Sequence, residues 1–190
     1  NIITCIAYLN SVVFGEIAKL TMPTINYKCG VIKTLPNLCV NDENVAEHAK
    51  INIALSRDDW DSFETSWDFT THPLVYLSKG LWERTNVACM MEYYYGELPK
   101  VSCPLEICYL LWQGQCNERF NKLKANEEEL NRIFIDIYGL QDELDPVVAD
   151  KDVTVHYLVD TKDDIPESMQ GSNYVLTRRD AVVSLISYAV

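Results

Sequence analysis

ANEEELNRIFIDIYGL, residues 125–140, carries the pattern that sets the fold class. Leu130, Ile133, Phe134 and Ile137 recur at i, i+3, i+4 and i+7, the single apolar stripe of an amphipathic helix. Asn126, with Glu129 three residues on, is a capping-box arrangement. Glu127, Glu128 and Glu129 then place negative charge at the positive end of a helix dipole. Gly139 suits the left-handed conformation that ends a helix. Upstream, Pro104 suits a first helical turn. Leu105, Tyr109, Trp112, Cys116, Phe120 and Leu123 extend a second long stripe. Residues 104–138 are therefore expected as a helical pair or one bent helix, which DELDP at 142–146 ends.

The flanking sequence is also mostly helical in pattern. Residues 2–20 read as one helix with Ile6, Leu9, Val13 and Ile17 on a face, stopped by Pro23. TINYKCGVIKTLP, 24–36, holds Gly30 between two short β-prone pieces and reads as extended or hairpin structure. Residues 42–55 read as a helix with Val45, Ala49 and Ile53 spaced by four. Ser56 with Asp59 is a second cap signal, predicting a new short helix from Arg57 that carries Trp60 and Phe63. His72-Pro73 marks a break. VACMMEYYYGELP reads equally as helix or strand. DVTVHYLVD, 152–160, alternates in the manner of a strand. Residues 161–174 are loop-like. Thr177 and Asp180 cap a last helix whose Ala181, Val182, Leu185, Ile186 and Ala189 are expected inward. The fold class expected is mainly α with a small β component (α+β), comprising a helical connector, a short hairpin near the N-terminus and a strand near 152–159. Both ends read as cut from a longer pattern.

With 190 residues, 48% of them hydrophobic and 23% charged, the chain suits one ordinary domain or two small ones. No apolar run is long enough to cross a bilayer, and the N-terminus lacks the basic region and cleavage site of a signal peptide. The seven cysteines are scattered, without C-x-x-C or zinc spacing, and read as reduced core residues of a cytoplasmic protein. The net charge of −12 makes the chain as a whole a poor ligand for nucleic acid. The exception is residues 1–40, where Lys19, Lys28 and Lys33 stand against Glu16 alone. Those three lysines are the candidate DNA-binding residues.

Motifs of chemistry are missing. No two glycines lie two apart, so no G-x-G turn exists to cradle a cofactor, and no P-loop, G-x-S-x-G or H-E-x-x-H occurs. His48, His72 and His156 fall in three different elements and have no carboxylate or thiol partner by spacing. Asp58-Asp59-Asp61, Glu127–Glu129 and Asp163-Asp164 are each explained by helix starts or loops. Trp60, Phe63, Trp67 and Phe69 are expected to anchor the helical part by burial. No catalytic, cofactor-binding or metal-binding residue is assigned.

Several blocks together are more specific. LNS at 9–11 followed by PTINYKCGVIKTLP at 23–36 resembles the segment that closes the methyltransferase part of large adenine-specific DNA methyltransferases. SRDDWDSFETSWDF at 56–69, NERFNKLKANEEELNRIFIDIYGLQDEL at 117–144 and DKDVTV at 150–155 resemble further blocks of one branch. That branch is the PglX-like methyltransferases of BREX phage-defence systems, with relatives among type II restriction-modification enzymes. The closing ISYAV resembles the start of a helix that continues in these proteins.

The resemblance implies transfer of a methyl group from S-adenosylmethionine to adenine N6 in duplex DNA, with the target base flipped out of the stack. The family's N-P-P-[YF] and glycine-containing cofactor motifs do not occur in this sequence. The chain is accordingly expected to be a non-catalytic fragment following the catalytic core. On that reading residues 1–40 are the closing helix and hairpin of a methyltransferase or target-recognition region. Residues 41–150 form a helical connector domain. Residues 151–190 supply a strand, a loop and a truncated helix leading to a missing C-terminal part. The fragment itself would hold no cofactor. It would meet duplex DNA through the parent protein, and no membrane. The alternative is an acidic helical interaction module that docks other defence-complex components.

Overall fold

The computed structural model describes residues 2–22, 29–35, 43–80, 84–96 and 103–190. Eight α-helices and two strands occur among them: α1 (Ile2–Leu9), α2 (Val12–Thr21), α3 (Cys29–Ile32), α4 (Glu43–Trp60), α5 (Pro73–Gly80), α6 (Arg84–Tyr95), α7 (Pro104–Tyr138), β1 (Tyr157–Val159), β2 (Val175–Thr177) and α8 (Arg178–Ala189). The fold is mainly α with a small β component, as the periodicities predict. The chain forms two compact units. One comprises residues 1–54 and 124–148, the other 55–123 and 149–190.

In the first unit the core gathers Val13, Phe14, Ala18, Val45, Ala49, Leu130, Phe134 and Ile135. Tyr8 stacks on Tyr138 with ring centres 5.8 Å apart and meets Phe14 edge-on at 5.5 Å. Residues 2–20 are not one helix. Ser11 donates its hydroxyl to Tyr8 O at 2.7 Å and accepts the Phe14 N–H at 3.3 Å, capping α2. The two helices meet at 68°. The cap lies inside an unbroken apolar pattern, where periodicity alone does not reveal it.

The hairpin expected near the N-terminus is not found over residues 29–35. Cys29–Ile32 is a helical turn, and the following N–H groups of Lys33, Thr34 and Leu35 bond back to Cys29, Val31 and Ile32. Those local bonds leave no ladder to form, and Leu35 is buried. The rest of that stretch, 24–28 and 36, lies outside the described residues.

Asn126 does not start a helix. α7 runs unbroken from Pro104 to Tyr138, and the Asn126 amide donates to Asn52 Oδ1 at 2.9 Å. Phe120, Leu123, Leu130 and Phe134 continue one buried face, and the good helix formers at 122–125 give the chain no reason to break. Gly139 does end the helix, at φ 68°. The Gly139 N–H meets Asp136 O and the Leu140 N–H meets Ile135 O, the paired bonds of a Schellman terminus. Buried Asn131 accepts the Val12 N–H at 3.0 Å and donates to Pro146 O at 3.1 Å. Burial raises the Glu127 carboxyl to about 7.

In the second unit Tyr109, Trp112, Cys116, Phe120 and Leu123 of α7 are all buried, as their stripe predicts, while Leu105 is exposed. His72 caps α5: its Nδ1 accepts the Leu74 N–H at 3.2 Å, and Pro73 takes the first helical position. The strand over 152–159 is shorter than its alternation suggests. Residues 150–152 form a 3₁₀ turn, and pairing begins only at Tyr157. β1 then pairs in parallel with β2, Tyr157 opposite Val175 and Val159 opposite Thr177. The free edge of β1 is closed by α7. Asn117 accepts the Leu158 N–H at 3.0 Å and donates to Leu158 O at 3.4 Å, as a neighbouring strand would. Gln113 also donates to Leu158 O, and the Tyr109 hydroxyl donates to Val159 O at 2.7 Å.

Thr177 and Asp180 form the predicted capping box of α8. Only part of its predicted inner face is buried: Ala181 is fully covered and Leu185 half-buried, whereas Val182, Ile186 and Ala189 are exposed.

Candidate functional site: a buried carboxylate beside an open cleft

Ser56 with Asp59 does not start a new helix at Arg57: α4 continues to Trp60, and Asp59 is only 3% exposed. Its Oδ1 accepts from Arg119 Nη1 at 3.2 Å and from the His156 main-chain N–H at 3.1 Å. Its Oδ2 accepts from His156 Nδ1 at 2.7 Å. The carboxylate therefore has three donors, one of them a cation, which is what its burial demands. The His156 ring packs on Phe63 with centres 4.2 Å apart. Because Asp59 takes the His156 N–H, the β-ladder starts one residue later. Spacing gives no hint of this cluster, since its members lie 60 and 97 residues from Asp59.

The arrangement orients His156 as a catalytic carboxylate would, yet no nucleophile is hydrogen-bonded to its ring among the described residues. The Cys116 thiol lies 3.9 Å from Arg119 Nη1. Burial pushes this thiol up to about 12, so it stays protonated and unreactive. The cluster is a clamp that ties the end of α4 to α7 and to the entry of β1. Cys108 is buried too, while Cys5, Cys29, Cys89 and Cys103 are exposed, so the core reading fits two of the six described cysteines. Cys39 lies outside the described residues.

Beside the clamp lies an open cleft of about 520 Å³. Asp58, Asp61, Tyr76, Leu77, Trp112 and Arg119 are among the residues that line it. Of these Trp112 and Leu77 are almost wholly buried, and Tyr76 is 70% exposed. The aromatic segment above it is only half buried. Phe63 packs on Trp112 and Phe69 on Tyr188. Trp60 and Trp67 do not anchor anything: they are 57% and 101% exposed.

The remaining histidines are structural. His72 is buried, and Nε2 bonds Ser184 Oγ at 2.9 Å. His48 Nδ1 lies 2.9 Å from Asn44 O, one turn back on α4. The candidate DNA-binding lysines fall in the first unit. Lys19 pairs with Glu16 at 2.6 Å. Lys33 is exposed on the turn after α3. Lys28 lies outside the described residues. Among the described residues no single helix is long and apolar enough to cross a membrane.

No family model and no solved structure matches the chain. Two curated proteins do. The adenine-specific methyltransferase PglX of Lacticaseibacillus casei (strain Zhang) is 42% identical over 155 residues, 82% of this chain and 11% of that protein. The adenine-specific methyltransferase BrxX of Escherichia coli O9:H4 (strain HS) is 33% identical over 75 residues, 40% of this chain and 6% of its own length. The chain is thus a relative of adenine-specific methyltransferases. It is identified as PglX-like by that similarity, and it spans about a tenth of the length of the first of these proteins.

Proposed function

We propose that this chain is a non-catalytic segment of an S-adenosylmethionine-dependent adenine-N6 DNA methyltransferase of the BREX type, acting in the cytoplasm. Its role is to support the catalytic domain and hold the DNA-recognition part in position. The observation that carries this reading is the alignment of most of the chain to a small part of PglX, while N-P-P-[YF] and G-x-G do not occur in the sequence. No glycine is among the residues that line the cleft by Trp112, so it does not offer the bare backbone that a cofactor phosphate or nucleoside approaches closely. Clamps such as Asp59–Arg119–His156 suit a part whose task is geometry. Within the same reading Lys19, Lys28 and Lys33 contact phosphates of duplex DNA, and removing each lowers the salt slope of binding by roughly one unit. The test is calorimetric titration of the chain with S-adenosylmethionine, together with a methyl-transfer assay on duplex DNA. Neither binding nor transfer is expected from the chain alone; either would overturn the non-catalytic assignment.

A further inference from the structure

We propose that the cleft over Trp112 receives a basic side chain, arginine or lysine, presented by a partner protein. The cleft joins the exposed ring of Tyr76 to a rim that carries two carboxylates, Asp58 and Asp61, with Trp112 and Leu77 almost wholly buried behind them. Neither carboxylate pairs with a cation among the described residues. Among the described residues the Asp61 side chain accepts the Ser66 hydroxyl at 2.6 Å. Arg119 also lines the cleft, but its charge is met by Asp59 at 3.2 Å. The rim therefore has two negative charges to offer beside the exposed ring of Tyr76.

A guest with an aliphatic stem and a cationic tip matches that combination. The stem lies along Tyr76, and the tip reaches the carboxylates, with the Tyr76 ring as an additional cation–π partner. The exposed rings of Trp60, Trp67 and Tyr76 lie on the same stretch of chain. Tryptophan and tyrosine are the residue types that dominate binding energy at protein interfaces. The net charge of −12 also draws a basic partner. Duplex DNA would bring its phosphates against Asp58 and Asp61. The inference does not rest on the methyltransferase reading.

The test follows backbone and indole N–H NMR signals of the whole chain during titration to millimolar concentration with acetyl-Gly-Arg-Ala-Arg-Gly-amide. The same peptide with citrulline for arginine, and a short DNA duplex, are titrated alongside. The arginine peptide should shift the Trp112 indole signal saturably, and the citrulline peptide should not. The double variant Asp58→Asn, Asp61→Asn should bind about tenfold more weakly or worse. It should keep its spectrum elsewhere, since asparagine retains the oxygen that Ser66 donates to. Equal binding of the citrulline peptide, unchanged binding by the double variant, the same shifts with DNA, or no shifts at all would each overturn the proposal.

Discussion

Asp59 and His156, 97 residues apart, are joined by two hydrogen bonds, Oδ1 to the main-chain N–H at 3.1 Å and Oδ2 to Nδ1 at 2.7 Å. The pair fixes where α4 ends and where β1 begins. Arg119, with a side chain only 15% exposed, depends on the same carboxylate. Asp59→Ala leaves that guanidinium without its counter-charge and should cost about 3–5 kcal/mol. Asp59→Asn keeps one acceptor and should cost less. Urea unfolding checks both; a midpoint for Asp59→Ala equal to that of the parent chain contradicts the clamp.

Asn117 replaces a missing strand along the edge of β1. Asn117→Ala leaves the N–H of buried Leu158 without a partner, a loss of about 1–3 kcal/mol. Asn117→Asp should be worse, because a carboxylate then faces the Leu158 carbonyl. Amide exchange at Leu158 is the direct readout. Protection there should fall sharply in Asn117→Ala, and unchanged protection would show that β2 alone holds the strand.

How far the sequence revealed this fold depends on the range of each interaction. The face of α7 was legible because periodicity is local and its apolar residues stay in phase from Tyr109 to Phe134. Gly139, His72-Pro73 and the Thr177–Asp180 box were legible for the same reason. Asn126 and Asp59 misled because cap-type residues also have long-range uses. One takes a partner on α4, the other on α7 and before β1. The exposure of Trp60 and Trp67 was illegible, since aromatic residues between acids have the same composition whether they face core or solvent. The family blocks were readable as sequence, yet nothing local showed that Asp58 and Asp61 flank a cleft.

His72 carries a pH signature. Burial lowers its pKa below the ordinary 6.5. Its Nδ1 accepts from Leu74, so the ring is neutral with the proton on Nε2 toward Ser184. As pH falls through about 6.5 the unfolded chain takes up a proton that the folded chain refuses, so stability is lost on the acid side. His72→Asn keeps a cap acceptor and removes the titration. Its melting temperature should fall less than that of the parent between pH 7.5 and 5.5. Parallel falls in the two proteins would remove His72 from the account.

Gly114 lies where the ring of Tyr94 crosses α7. An added Cβ would lie 2.5 Å from Tyr94 Cγ. Gly114→Ala should therefore destabilise by about 1–3 kcal/mol despite the better helix propensity of alanine. In a Tyr94→Ala background the same change should become stabilising. A double-mutant cycle by thermal melting measures this, and additive effects would contradict the close packing.

The most direct test of the whole account exchanges the matching stretch of the Lacticaseibacillus casei PglX for this chain and measures S-adenosylmethionine binding and duplex methylation side by side. The account predicts that the chimera binds cofactor and methylates DNA. With Asp59→Ala it should still bind cofactor but lose most methylation, as the proposed positioning role requires. Full methylation by the Asp59→Ala chimera, or loss of cofactor binding together with methylation, would contradict it.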